Sequence, residues 1–346
     1  MTSRMLAVLA LAAAAAPAFA QSEAEPARPQ TAPAMRIVQP GEAARPAQDK
    51  PARPPLYDEQ ADAREQIAAA LAKAKKENRR VLVQWGGNWC GWCIKLDELC
   101  RSDPAIRKEL LYEYQVVHVD AGRNGKNMEL AKSHGAEIDG FPYLTVLDAE
   151  GKPLANQETG SLEERDAEGK VTGKHVPGAV LAFLRKHEAP QLNASELVAA
   201  GLAEAKRNAA GGEGPQVVFL HFGAPWCGWC HRLEGWMARP EIAAILGRDF
   251  VDVKIDTDRM VGGADVLQRH RGSARGGIPW FVLLDAEGTA IITSDGPDGN
   301  VGFPVRPEEI AHFEAMLRKS AKNLSDDDIA TIIASLEESA RSILGG

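Results

Sequence analysis

The sequence predicts an α/β protein made of two copies of one domain, each a mixed sheet of about four strands with helices on both faces. Three observations carry this. A five-residue stretch occurs twice, as Trp89-Cys90-Gly91-Trp92-Cys93 and as Trp226-Cys227-Gly228-Trp229-Cys230. The register is kept well beyond it: Cys90 to Cys227, Pro142 to Pro279, and Asp148-Ala149-Glu150-Gly151 to Asp285-Ala286-Glu287-Gly288 are all 137 residues apart. Three separated features in one register mark a duplicated unit. Finally, each cysteine pair follows a short β-branched and aromatic run, Val81-Leu82-Val83-Gln84-Trp85 or Val217-Val218-Phe219-Leu220-His221-Phe222, and precedes a helical pattern. Such runs read as buried strands.

The chain has 346 residues, enough for two ordinary domains with a core each. Its net charge of −8, without a Lys/Arg cluster, argues against a nucleic-acid partner. Residues 1–20 stand apart: Arg4, an apolar run from Met5 to Ala16, then Pro17-Ala18-Phe19-Ala20. This order reads as a secretory signal peptide cut near Ala20, and the run is too short for a membrane span. It places the mature chain in the periplasm or outside the cell. Residues 21–57 form a tether: positions 21–55 carry eight prolines and almost no large apolar side chain, too little to offset the entropy of ordering.

The first domain is expected over 58–190. Asp58 to Asn78 is rich in Ala, Glu and Lys, with Ile67, Ala70, Leu71 and Ala74 at helical spacing. A strand at 81–85 leads to the cysteine motif and a helix from about Cys90 to Leu99. Asp103-Pro104 opens another helix, with Asp as cap and Pro in the first turn. Strands follow at Gln115–Asp120 and Tyr143–Asp148, with a short helix at Met128–Ser133 between them. Asp148-Ala149-Glu150-Gly151 turns into a fourth strand. A polar loop near 157–177 leads to a last helix around Gly178–His187. This order gives a parallel pair with a crossover, then an antiparallel hairpin.

Ala189-Pro190-Gln191 punctuates the boundary, and 191–346 repeats the order. A helix at about Ala194–Asn208 and a Gly-rich break at 211–214 precede strands at 216–222, 250–256, 280–285 and 289–294. Ser325-Asp326-Asp327-Asp328 is a helix start, followed by a stripe of Ile329, Ile332, Ile333, Leu336, Ala340 and Ile343. That stripe is expected to pack as an extra terminal helix.

The chemistry follows from the placement. A Cys-x-x-Cys where a strand turns into a helix is a redox signature. The helix N-terminus presents unpaired N–H groups and partial positive charge, which favours a thiolate at the first cysteine. The thiolate of Cys90 or Cys227 attacks a partner disulfide, and Cys93 or Cys230 resolves the mixed disulfide. The first sulfur is expected to be exposed and the second partly covered; a first sulfur sealed in the interior would argue against this chemistry. Trp89 and Trp226, each beside a nucleophile, offer an apolar platform for an extended partner, whereas Trp85 and Trp236 read as core. Cys100 is unpaired, lies two helical turns from Cys93 and has Met237 as its counterpart, so it reads as apolar filling.

Trp-Cys-x-x-Cys followed by a Gly-apolar-Pro turn, here Gly140-Phe141-Pro142 and Gly277-Ile278-Pro279, resembles the thioredoxin superfamily in both halves of the chain. Leu99-Cys100-Arg101-Ser102-Asp103-Pro104 resembles the branch that includes the periplasmic domains of Dsb-type electron transporters. The resemblance implies thioredoxin-like folds in tandem. It also implies cis peptide bonds before Pro142 and Pro279, and a substrate strand pairing beside Phe141 and Ile278. Thioredoxin carries an aspartate six residues before its first cysteine, which helps move the proton of the resolving thiol. Gln84 and His221 hold those positions here. Glutamine cannot titrate and histidine can, so His221 is the proton-transfer candidate and the second site is expected to exchange faster, with the stronger pH dependence.

The expected function is thiol–disulfide oxidoreduction outside the cytoplasm, as reductase or relay. The partners would be protein thiols and disulfides, with a membrane electron donor as a further candidate. No cofactor is expected. Two cysteine pairs could make a Cys₄ zinc site, but each sits in its own α/β domain, so no metal is expected. The alternative is a binding or chaperone module whose disulfides are structural.

Overall fold

The computed structural model describes residues 54–210, 216–273 and 276–345. The signal peptide, most of the tether, the Gly-rich break and Arg275 lie outside the described residues. The first half runs α1 (Ala63–Glu77), β1 (Arg80–Gly86), α2 (Gly91–Ser102), α3 (Pro104–Glu113), β2 (Tyr114–Asp120), α4 (Met128–Ser133), β3 (Tyr143–Leu147) and β4 (Pro153–Glu158). A small hairpin, β5 (Glu163–Arg165) and β6 (Val171–His175), and α5 (Pro177–Lys186) complete it. The second half runs α6 (Ala194–Ala210), β7 (Val217–Gly223), α7 (Gly228–Met237), α8 (Pro240–Leu246), β8 (Phe250–Asp256), α9 (Gly263–Arg271), β9 (Trp280–Leu284) and β10 (Ala290–Thr293). The two-residue strands β11 (Asp295–Gly296) and β12 (Gly299–Asn300) follow, then α10 (Pro307–Ser320) and α11 (Asp326–Leu344).

The two main sheets have the same topology, β2-β1-β3-β4 and β8-β7-β9-β10. In each, the strand before the cysteines pairs parallel with one neighbour and antiparallel with the other. Trp85 lies opposite Tyr143 and Phe222 opposite Trp280, so the repeat seen in sequence is kept in register. Each sheet separates two apolar clusters. Val81, Val83 and Trp85 face α1 and α4, while Leu82, Leu144 and Val146 face Leu96, Ile106 and Leu184. In the second half, Val218, Leu220 and Phe222 face α6 and α9, while Phe219 and Phe281 pack on Trp236, Phe313 and the terminal helix. Ile329, Ile332, Leu336 and Ala340 are buried there, the packed role expected of the stripe.

Local signals set most boundaries. Asp62 caps α1 by accepting from the N–H groups of Arg64 and Glu65, so the helix begins at Ala63 rather than Asp58. Asp103 caps α3 with Pro104 in its first turn, and Ser325 with Asp328 forms a capping box on α11. The region read as a polar loop near 157–177 contains the β5–β6 hairpin. Its turn is held by Asp166, whose carboxylate accepts from the N–H groups of Glu168 and Lys170.

The halves are joined by a dense polar contact. Arg259, in the loop after β8, donates to both carboxylate oxygens of Glu113 at 3.0 and 2.8 Å. It also donates to the carbonyls of Glu77 and Asn78, each at 2.9 Å. Both Arg259 and Glu113 are buried. The connecting segment is pinned at both ends: Asn78 Nδ2 donates to the Pro190 carbonyl, and the Val261 N–H donates to that of Leu192. A buried arginine with four donated bonds holds this joint, since separating the halves would leave its charge and that of Glu113 without these partners.

Candidate functional site

Each cysteine pair sits where the central strand ends and a helix begins. Cys90 and Cys227 are the N-cap residues of α2 and α7, and their Sγ atoms accept from the N–H groups of Cys93 and Cys230 at 3.2 and 3.1 Å. Both pairs are disulfide-bonded, with Cα atoms 5.3 and 5.2 Å apart. The Phe141–Pro142 and Ile278–Pro279 bonds are cis, as the resemblance implied. Each proline carbonyl is held by a side chain that had no sequence signal: Thr159 Oγ1 donates to Pro142 at 2.5 Å, and Asn300 Nδ2 donates to Pro279 at 2.9 Å.

The expected exposure of the first sulfur needs correction. Cys90 is 7% exposed and Cys227 3%, against 0% and 2% for Cys93 and Cys230. The ranking is as expected, but the degree is not. Bonding turns the first sulfur toward its partner, and the proline loop closes over it: Trp89 and Phe141 pack on Cys90, and Ile278 on Cys227, with its carbonyl 3.5 Å from Sγ. The next residues, Gly91 and Gly228, are exposed. Each first sulfur belongs to a small buried apolar cluster at the strand–helix turn, with Tyr57 and Cys93 or with Ala224 and Cys230, separate from the larger clusters of its domain.

The rims differ. At the first site, Trp89 meets Phe141 edge-on at 5.5 Å and lies under Arg123, while Trp92 meets His175 of β6 edge-on at 5.2 Å. At the second site, Trp226 is 58% exposed and Trp229 45%. Trp226 is steadied by one bond, from its Nε1 to Asp258 Oδ2 at 2.9 Å. Trp85, Trp236 and Trp280 are buried, the first two as expected of core.

The floors differ more. Below the first disulfide lies Tyr57, fully buried although the sequence reading leaves it in the tether. Gln84 Nε2 donates to Tyr57 Oη at 2.8 Å. A Cβ on Gly86 would lie 2.5 Å from both Tyr57 Oη and Cys93 Sγ, so these atoms are within 5.0 Å of each other and only glycine fits. Burial raises the Tyr57 hydroxyl above its ordinary range, so it is a neutral group here. Below the second disulfide, His221 Nε2 lies 3.0 Å from Asp252 Oδ1. Burial works to raise the Asp252 carboxyl, but the His221 charge and hydrogen bond, with Lys76 and Lys254, outweigh it and hold the group below its usual range.

One turn beyond each second cysteine the helix carries a buried acid that the sequence reading missed, Asp97 or Glu234. Asp97 is bound by Arg101 at 2.6 Å. Glu234 Oε2 is bound by Lys254 at 2.7 Å, while its Oε1 has no hydrogen-bond partner. A Cβ on Gly223 would be 3.3 Å from Cys230 Sγ and 3.6 Å from that oxygen. A cavity of about 440 Å³ opens here, lined by His221, His231, Glu234, Asp252 and Lys254 on one side and Lys76 and Arg79 on the other. The signal available in sequence was an acid at the same offset in both copies, four residues after the second cysteine.

Cys100 packs against the first domain's core, and burial pushes its thiol up to about 12. Among the described residues, no cluster of His, Cys, Asp or Glu could hold a metal ion, and no helix is long and apolar enough to cross a membrane.

Two family profiles match the chain. Residues 67–172 match "Thioredoxin-like domain", and residues 177–333 match Thioredox_DsbH, described as "Protein of unknown function, DUF255". Disulfide bond reductase DsbH of Chlamydia pneumoniae is 30% identical over 100 residues, which cover 26% of this chain and 59% of that protein. Thiol:disulfide interchange protein DsbD of Vibrio vulnificus (strain CMCP6) is 27% identical over 93 residues, covering 27% of this chain and 15% of that one. The chain thus spans less than two thirds of the length of either relative. Among solved structures, disulphide isomerase from Xylella fastidiosa Temecula1 is 30% identical, with 38% of this chain and 96% of that one covered and a TM-score of 0.33.

Proposed function

We propose that this chain, which belongs to the thioredoxin superfamily and carries two thioredoxin-like domains in tandem, is a thiol–disulfide oxidoreductase with two working dithiol/disulfide sites. The observation that carries this is the placement of both pairs: each caps a helix at the end of the central strand, beside a cis proline. In the reducing direction, the thiolate of Cys90 or Cys227 attacks one sulfur of a client disulfide. The other client sulfur leaves as a thiolate and takes a proton. Cys93 or Cys230 then attacks the mixed disulfide, gives up its own proton and releases the second client thiol, so two electrons pass to the client.

The reducing or relaying direction is favoured by the similarity to the disulfide bond reductase DsbH of Chlamydia pneumoniae. Trp89, Phe141 and Pro142, and Trp226, Ile278 and Pro279, would receive the client segment. At the second site, His221 is proposed to assist proton loss from Cys230. The unpartnered oxygen of Glu234 lies near the same sulfur, since both would touch a Cβ placed on Gly223. The signal-like residues 1–20 support a reaction outside the cytoplasm, with protein thiols and disulfides as proposed clients and a membrane protein as candidate electron donor.

The low exposure of all four sulfurs favours a second reading, a binding module with structural disulfides. An insulin-reduction assay separates the two. Turnover that is lost only when Cys90 and Cys227 are both replaced by serine supports the enzyme. No turnover, with tryptophan fluorescence indifferent to dithiothreitol, supports the binding module.

A further inference from the structure

The joint between the domains has a direction. Strand β1 runs from Arg80 to Gly86 and ends at the first site, with β2 parallel beside it. Glu77, Asn78 and Glu113 all precede these two strands, so they mark the end of the sheet opposite Cys90. Arg259, which binds all three, follows β8. That is the end of the second sheet that carries Cys227: the Thr257 N–H donates to the Gly223 carbonyl, and Asp258 of the same loop holds Trp226. Tyr112 of α3 donates to the same Asp258 oxygen at 2.8 Å. The head of the second domain is therefore docked on the tail of the first.

From this we infer that the two sites cannot exchange electrons with one another within one chain, and that each is served separately by a partner protein that brings a dithiol or a disulfide to it. The inference rests on the oxidoreductase reading above. The sites are separated by at least the length of β1, seven residues or roughly 20 Å at the usual rise per strand residue. Exchange needs the sulfurs in bonding contact, with Cα atoms within about 7 Å. A flexible linker would let the domains swing to close that gap. Here the linker is tied to both domains through Pro190 and Leu192, and Arg259 is buried against Glu113.

The balance at each site is then self-contained. An incoming partner dithiol loses two electrons and two protons and closes to a disulfide, as the bond between Cys227 and Cys230, or that between Cys90 and Cys93, opens to two thiols. The docking also makes the first domain part of the second site's wall, since Tyr112 helps to fix the aspartate that steadies Trp226.

The test uses the full chain with Cys93→Ser and Cys230→Ser, which leaves the two nucleophiles and Cys100. Oxidised glutathione is added first, and labelling at both Cys90 and Cys227 is read by peptide mass spectrometry. A chain that refuses glutathione at both positions overturns the oxidoreductase reading and this inference with it. The reduced chain is then treated with diamide over a tenfold range of protein concentration. Absence of a Cys90–Cys227 link within monomers, with any such link confined to concentration-dependent dimers, is the expected result. A monomeric chain carrying that link, formed at a rate unchanged by dilution, would overturn the inference while leaving the oxidoreductase reading intact.

Discussion

The two sites share a backbone and differ in what surrounds it. The first is roofed by Trp89 on Phe141 and Trp92 on His175, and floored by the uncharged pair Tyr57 and Gln84, with Asp97 held by Arg101 one turn along the helix. The second shows two exposed tryptophans and is floored by His221, Asp252, Glu234 and Lys254. Since the cysteines, the helix start and the cis proline are common to both, differences in behaviour should follow from roof and floor. Duplication has kept the nucleophile's setting and altered how clients and protons reach it.

The largest effect should come from the joint. Arg259→Ala leaves Glu113 buried and unpaired, which should cost about 3–5 kcal/mol. Chemical denaturation would measure it. Exchange at the second site should be perturbed, through the loop that holds Trp226, and exchange at the first should be unchanged. Tyr57→Phe is the complementary break: it removes the 2.8 Å bond of the buried Gln84 amide and leaves it only the longer one to the Cys93 carbonyl at 3.4 Å, a loss of about 1 kcal/mol. Only the first domain's transition and the first site's exchange rate should move.

Acidification should sharpen the contrast. Burial lowers His118, His134, His175 and His187 in the first domain, and His270 in the second. A histidine whose folded value is depressed contributes stability that is complete above its ordinary value near 6.5. That contribution is lost as pH falls from there through the folded value, because the unfolded chain binds the proton first. The histidine contribution to the first domain's stability should therefore fall more between pH 7 and pH 5. It is offset in part by Glu109, whose carboxyl is pushed up to about 7 by burial and Glu188 and which gains its proton in the folded state over the same range. Single-domain melting followed through Trp89 and Trp226 fluorescence would check this; equal losses would contradict it. Asp252, depressed in the second domain, should act only at lower pH, its contribution present above the usual aspartate value and fading below it.

His221→Gln gives the second site the residue of the first. Its exchange rate should then approach that of the first site, read in a Cys90→Ser background. The smallest effect belongs to Cys100. With its thiol pushed up to about 12, it should resist alkylation until the domain unfolds, and Cys100→Ala should leave both sites' rates unchanged.

Much of this was legible in the residues. The strands and helices around Cys90 and Cys227 declare themselves through β-branched runs, aspartate caps and a shared 137-residue register. The cis bonds followed from the superfamily motif. What was not legible depends on contacts between distant parts of the chain. Tyr57 ends a proline-rich stretch and has no periodic neighbours, yet its ring fills the space under Cys93. Arg259 and Glu113 are 146 residues apart and carry no pattern to link them. The sulfurs are more covered than a helix N-cap alone suggests, since the proline loop folds over them from 51 residues downstream. The β5–β6 hairpin looked like a loop because its strands are short and polar on both faces.

The central claim is that both pairs open and close as redox couples. Equilibrating the folded chain against dithiothreitol buffers of graded potential, then alkylating and quantifying each pair by mass spectrometry, tests it directly. The account predicts that Cys90–Cys93 and Cys227–Cys230 each titrate as a two-electron couple, at separate midpoints and while the chain stays folded. Pairs that remain closed until the chain unfolds would contradict it.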